Sequence, residues 1–171
     1  LGERTEEKGY QLGPSYVNGE VVQEIGGGIC QVSSTLYNCV LTADLEVLER
    51  ENHMFYPGYV DPGLDCAVNW GTLDFRFRNS SGHAIRIEAS LDGYNVTVKL
   101  LGTDDKDYYV KMEYDILRTY DFSTYYRDLD EDNAEGYRNG DTIVEGVEGY
   151  YVETYRCRYD KATNALQTRV Y

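Results

Sequence analysis

The chain has 171 residues, 30 of them acidic and 16 basic, so it carries a formal charge of −14 together with enough apolar and aromatic side chains for a real core in one large domain or two small ones. The negative charge is spread over both halves and repels phosphate backbones and anionic headgroups, which argues against nucleic acid and against direct membrane-surface binding. No apolar run approaches the roughly 20 residues of a membrane helix, no signal peptide is visible, and the four cysteines are too sparse for a small disulfide scaffold.

Residues 1–25 are polar and carry the turn signals Gly9, Gly13-Pro14 and Asn18-Gly19. Asn18-Gly19 lies between Tyr16-Val17 and Val21-Val22, a strong short hairpin signature. Gly26-Gly27-Gly28 follows and delivers Ile29-Cys30-Gln31 to the start of a helix. Three glycines permit unusual backbone conformations and close approach by a second group. Apolar residues at Val32, Leu36, Cys39, Val40 and Ala43 predict one buried helical face ending near Ala43-Asp44.

Residues 45–49 alternate as a strand, and residues 51–65 form an irregular loop containing two Pro-Gly dipeptides. The stretches 66–70, 73–78, 84–89 and 95–100 read as strands of an antiparallel meander with one solvated face. A single helix against such a sheet predicts an α+β domain over residues 1–101.

The polar stretch 102–107 marks a boundary. Residues 107–171 read as a small β-rich module with strands near 108–114, 141–144, 150–159 and 165–170, and a hairpin loop at 160–164. Twelve of the eighteen tyrosines lie here, suited either to ordinary strand packing or to a wet, polar ligand surface such as one for glycans. The acidic stretch 128–133 lacks the ordered ligands and glycine of an EF-hand and reads as a solvated charge run. With no C-x-x-C pair and only His53 and His83 available, no metal site and no cofactor is expected. His83 reads as a turn residue. Disulfide connectivity stays open, a Cys39–Cys66 pair being one possibility.

The stretch from Gly26 to Asn38, with His53, the loop Tyr59-Val60-Asp61-Pro62-Gly63-Leu64-Asp65 and Gly71-Thr72-Leu73-Asp74-Phe75-Arg76-Phe77-Arg78-Asn79, resembles the VanW family, named from a vancomycin-resistance cluster. Leu1 to Thr5 and Gly9-Tyr10 also fit, so the resemblance covers about the first 90 residues. Family members usually carry a further strand, and often a membrane helix, before the segment matching Leu1. A trimmed fragment of a longer, anchored protein is therefore expected. The tail through Gly136, Gly140, Gly146 and Gly149 is similar to the glycine-five surface domain that often follows VanW domains, although 161–164 lacks the usual glycine. Together the resemblances imply an extracellular, cell-envelope location in Gram-positive bacteria, with a wall polymer or envelope protein as partner. They imply no defined reaction.

A cysteine at a helix start has its thiolate stabilised by unpaired N–H groups and the helix dipole, and the same N–H groups suit an oxyanion. With His53 as base and Asp65 or Asp61 to orient it, Cys30 supplies a Cys-His-Asp acyl-transfer set for a peptidoglycan-peptide hydrolase or transpeptidase. Gly26, Gly27, Gly28, Gln31, Ser33, Tyr59, Asp61 and Trp70 are the candidate binding residues around it. This acyl transfer is the alternative; the first expectation is a wall-associated binding or accessory module without catalysis, in which Cys30 only caps the core, His53 is a loop hydrogen-bonder and Ser33, Ser34 and Thr35 satisfy first-turn N–H groups.

Overall fold

A computed structural model describes residues 2–17, 20–126, 128 and 136–171 of the chain. Among them the fold is α+β: a short 3-10 turn, one α-helix and otherwise antiparallel strands. Strands β1 (Leu12–Val17) and β2 (Glu20–Ile25) pair with Leu12 opposite Ile25 and Val17 opposite Glu20. The predicted Asn18-Gly19 turn between them lies outside the described residues.

What approaches the glycine turn is β1. A Cβ on Gly27 would stand 2.1 Å from the Gly13 carbonyl oxygen, so no side chain fits between the two backbones. Gly26 and Gly28 have φ of +77° and +86°, and Gly28 faces open space. Helix α1 (Ile29–Thr42) begins directly afterwards, three positions before the apolar periodicity at Val32.

The buried face of α1 includes Val40 of the predicted stripe but is centred to one side of it. Ser33, Ser34, Tyr37, Val40 and Leu41 point inward, while Val32 is exposed. Serines turn inward because residues 64–68 run along this face as an extended segment with little strand pairing of its own. The Ser34 hydroxyl accepts the Cys66 N–H (2.9 Å), the Ser33 hydroxyl donates to the Cys66 carbonyl (2.6 Å), and the Asn38 amide donates to the Leu64 carbonyl (2.8 Å). This corrects the predicted strand at 66–70, where only the isolated bridges Glu51–Ala67 and Asn69–Leu73 form. Tyr37, Leu41, Leu64 and Cys66 make the core, with Val47, Phe75 and Met112 packed against it.

The predicted meander also resolves differently. β3 (Glu46–Glu49) pairs with β4 (Arg76–Arg78), and β5 (Ile85–Asp92) pairs with β6 (Asn95–Gly102), as separate two-stranded ribbons. The wide turn from Asn79 to His83 separates β4 from β5, held by the Asn79 amide donating to the His83 carbonyl (2.7 Å). His83 itself faces Asp105 at 3.2 Å on the surface.

The last sheet is β7 (Tyr108–Tyr120), β8 (Gly149–Asp160) and β9 (Leu166–Val170), with β8 central. No strand forms at 141–144. A reverse turn takes up its first residue, with the Asp141 N–H on the Arg138 carbonyl (3.0 Å) and the Arg138 N–H on the Asp141 carboxylate (2.8 Å). The acidic stretch 128–133 lies outside the described residues apart from Asp128.

Two features seat this sheet on the rest of the chain. Asp44, in the left-handed conformation just after α1, pairs with Arg156 (3.0 Å) and Arg158 (2.9 Å) and accepts the Tyr108 hydroxyl (2.6 Å). Gly63, at φ +80°, lies so close to Val152 and Thr154 of β8 that a Cβ would stand 2.6–2.7 Å from their methyl groups.

The glycine turn gives a direct test. Gly27→Ala must displace a strand and should lower stability to urea by about 3 kcal/mol. Gly28→Ala meets no atom and should lose only the roughly 1–2 kcal/mol of a left-handed alanine. A Gly27→Ala loss no greater than that of Gly28→Ala would remove the case for close approach.

Candidate functional site

The extended segment 64–68 carries Asp65 into the interior, where its residue is only 6 % exposed. A buried carboxylate is stable only when its oxygens are bonded and its charge is matched. Arg50 supplies most of that. Its guanidinium donates to Asp65 Oδ1 (3.0 Å), to the Asp65 carbonyl (2.8 Å) and to the Gly63 carbonyl (3.0 Å), while lying over the Tyr37 ring. The second carboxylate oxygen belongs to His53. Asp65 Oδ2 accepts the His53 backbone N–H at 2.6 Å and faces imidazole Nδ1 at 2.7 Å.

With Nδ1 held by Asp65, Nε2 is the nitrogen left free for other partners, and it faces the Tyr59 hydroxyl 3.5 Å away. Phe55 and Tyr59 meet the imidazole edge-on at 5.6 and 6.3 Å between centroids, which fixes the ring plane. Burial works against a charged imidazole here. The bonds to Asp65 and Cys30 outweigh it and raise the His53 pKa to about 9.

Cys30 sits in the first turn of α1, which has no side-chain cap and no acidic residue. Its sulfur donates to the Val68 carbonyl at 3.4 Å, and the His53 imidazole is near enough to act on its charge. These correspond to two protonation states: a thiol donates to the carbonyl, whereas a thiolate pairs with imidazolium. Burial pushes the thiol pKa up, but the hydrogen bond and charge of His53, with Arg4 adding to them, bring it below the ordinary value. The other three cysteines move the opposite way. Burial raises Cys39 and Cys157 and pushes Cys66 up to about 12. All four are free thiols, with Cys39 donating to the Val98 carbonyl at 3.1 Å.

The structure thus brings Cys30, His53 and Asp65 together, with Tyr59 beside them. It places Asp61 on an exposed turn, its carbonyl accepting the Leu64 N–H at 3.0 Å, and Asp65 is the carboxylate that meets the imidazole. Ser33 is turned into the interior, and Gln31 reaches the other way, toward the Tyr94 carbonyl at 3.4 Å. Trp70 projects outward and is half exposed. Gly26 is buried under the Arg4 side chain, while Gly27 and Gly28 form the entry to the helix.

Three contributors escape sequence reasoning. Arg50 looks no different in the sequence from Arg76 or Arg78. Arg4 lies far along the chain, and Ser34 reads as a capping residue. A cleft of about 570 Å³ also opens on the Asp65 side of His53, between the loop and the last sheet, lined by Asn52, Tyr56, Tyr120, Tyr150, Tyr151 and Tyr171. Among the described residues no cluster of three His, Cys, Asp or Glu side chains is placed to hold a metal ion.

The charges give stability a defined pH dependence. His53 is raised above its ordinary 6.5, so its contribution is complete below 6.5 and is lost as pH climbs through about 9. Asp65 is lowered from its ordinary 3.8, since Arg50 and His53 outweigh its burial; its contribution is present above that value and fades as pH falls below it. The stability gap between the wild type and His53→Ala, measured by urea denaturation, should therefore be widest near pH 5–6.5 and close toward pH 10. A gap independent of pH would contradict the charge assignment.

Comparison with known proteins places these residues in a family. The family described as "VanW like protein" matches residues 1–101. The uncharacterized protein YoaR of Bacillus subtilis (strain 168) is 44% identical over 104 residues, covering 61% of this chain and 34% of YoaR. The vancomycin B-type resistance protein VanW of Enterococcus faecalis (strain ATCC 700802 / V583) is 28% identical over 89 residues, covering 48% of this chain and 32% of that protein. The chain thus spans about a third of the length of these curated relatives. No solved structure matches. The glycine turn, Cys30, His53 and Asp65 all lie within the matched region, and the chain belongs to the VanW-like family.

Proposed function

We propose that this site performs thiol-dependent acyl transfer on cell-wall peptides, as a hydrolase or transpeptidase, with Cys30 as nucleophile, His53 as acid and base and Asp65 as its orienting partner. The observation that carries the proposal is the imidazole held on Asp65 Oδ2 at 2.7 Å and acting in turn on the one thiol of four whose pKa is lowered. Structural ion pairs also shift pKa values, but a buried core cysteine has no use for an imidazolium beside it.

The Cys30 thiolate attacks the carbonyl carbon of the scissile amide. The developing oxyanion lies at the start of α1, beside the N–H groups that precede Gln31, whose own N–H is held by the Gly28 carbonyl at 3.1 Å. His53 gives its Nε2 proton to the leaving amine, the C–N bond breaks and a thioester remains on Cys30. Water, or the amine of a second peptide, then attacks the thioester while His53 takes up its proton, and the thiolate leaves. Burial holds the Tyr59 phenol near pKa 12, so it stays protonated beside Nε2 throughout.

An envelope setting is supported by the relative named as a vancomycin B-type resistance protein. In this reading residues 1–101 are the reactive domain. Residues 107–171 are a small β module, resembling the glycine-five surface domain, that holds it on wall polymer or an envelope protein. The second reading, a wall-binding accessory module without catalysis, is favoured by the tyrosine-lined cleft behind His53, because aromatic rings in a wet groove suit saccharide faces.

Incubation of wild type, Cys30→Ala and Asp65→Asn with muropeptides separates the two. Acyl transfer predicts a Cys30-linked thioester by mass spectrometry, no turnover by Cys30→Ala and a rate at least about 10²-fold lower for Asp65→Asn. Identical product profiles for all three, with an ordinary thiol pH profile for iodoacetamide at Cys30, would leave the accessory module standing.

A further inference from the structure

We infer that Arg4 forms a carboxylate-binding subsite beside Cys30, so that the peptide accepted there carries a free carboxylate close to the reacting carbonyl. The inference rests on Cys30 as the nucleophile and adds a substrate class to it.

Position comes first. The Arg4 side chain lies across Gly26, where a Cβ would stand 2.7 Å from its Cδ, so the glycine makes the room that the arginine occupies. Its guanidinium donates to the Gly26 carbonyl (3.4 Å) on one side and to Asn69 Oδ1 (3.3 Å) on the other. Cys30 is bonded to the neighbouring residue of that second partner, through the Val68 carbonyl. Guanidinium and sulfur thus both bond the stretch Val68-Asn69, and both flank the glycine turn at Gly26 and its helix, so that the Arg4 charge is felt at the thiol.

Its partners are the second point. Both bonds are long against the usual 2.9 Å or so for N–H···O, and both acceptors are neutral. The chain has 30 acidic residues, and Arg50, Arg76, Arg78, Arg156 and Arg169 each pair with a carboxylate. Among the described residues Arg4 pairs with none. A half-buried guanidinium on two weak neutral acceptors gains by exchanging them for the fork-shaped contact of a carboxylate. On a surface of net charge −14, such a spot orients an anionic peptide in one way rather than attracting it generally. The carboxylate can come from the peptide terminus or from a side chain next to the reacting residue.

The test compares alkylation of Cys30 by iodoacetate and by neutral iodoacetamide at fixed ionic strength, in wild type, Arg4→Gln and Arg4→Lys, with Cys30 adducts quantified by peptide mass spectrometry. The iodoacetate-to-iodoacetamide rate ratio should fall about tenfold in Arg4→Gln and be partly kept in Arg4→Lys, which retains the charge but loses the fork. An equal ratio in wild type and Arg4→Gln would overturn the subsite. The iodoacetamide rate alone reports whether Cys30 is an activated thiol, so failure of the nucleophile reading appears separately. With wall peptides, amidating the terminal carboxylate in one set and the side-chain carboxylate in another should abolish the Arg4 dependence in the set that supplies the anion. Arg4 dependence that survives both amidations would also overturn the proposal.

Discussion

The site depends on one seam, the hydrogen bonding between α1 and residues 64–68. An extended segment inside a core, with few strand partners, must find its donors and acceptors elsewhere. Cys30, Ser33, Ser34 and Asn38, spaced along one helical face, reach Val68, Cys66 and Leu64 in turn, so helix and segment run antiparallel. Ser34 is completely buried and both accepts from and donates to Cys66. The seam sets Asp65 beneath the His53 loop and the Val68 carbonyl at the thiol. The same few bonds thus define both the core and the reactive geometry.

Electrostatics then follow from burial. Asp65 is tolerable inside only because Arg50 and His53 share its two oxygens, and that sharing holds the His53 ring in place and favours its charged form. An imidazole held positive by a carboxylate is the partner that a thiolate needs. The opposing pull of desolvation is overcome at His53 by Asp65 and then Cys30, and at Cys30 by His53 first. The last sheet supports the arrangement from outside, with Gly63 against β8 and Asp44 anchored to Arg156 and Arg158.

Much of this was legible in the sequence where local chemistry decides. The glycine run before a cysteine, the hairpin strands around residues 18–19 and the irregular loop bearing His53 each follow from residue type and spacing. Apolar periodicity alone finds only part of the helix's buried surface, Val40 among it, and misses the serines. The residues that face inward are Ser33, Ser34, Tyr37, Val40 and Leu41, a set with helical spacing but polar members. Their reason for burial, the backbone of residues 64–68, is more than 20 positions away. The single meander failed for a related reason, since β4 is only three residues long and the bonded turn after it sends the chain away from β3. Arg50 and Arg4 were invisible because what distinguishes them is the partner each finds in space.

The account rests most directly on the charge state of the imidazole, which NMR of ring-labelled histidine reads without substrate. The His53 nitrogens should stay protonated through neutrality in the wild type, with a midpoint near pH 9. In Cys30→Ala, where Asp65 remains but the thiolate is gone, the midpoint should move down toward the ordinary histidine value. A wild-type midpoint already at that ordinary value, and unmoved by loss of the cysteine, would contradict a Cys30–His53 pair.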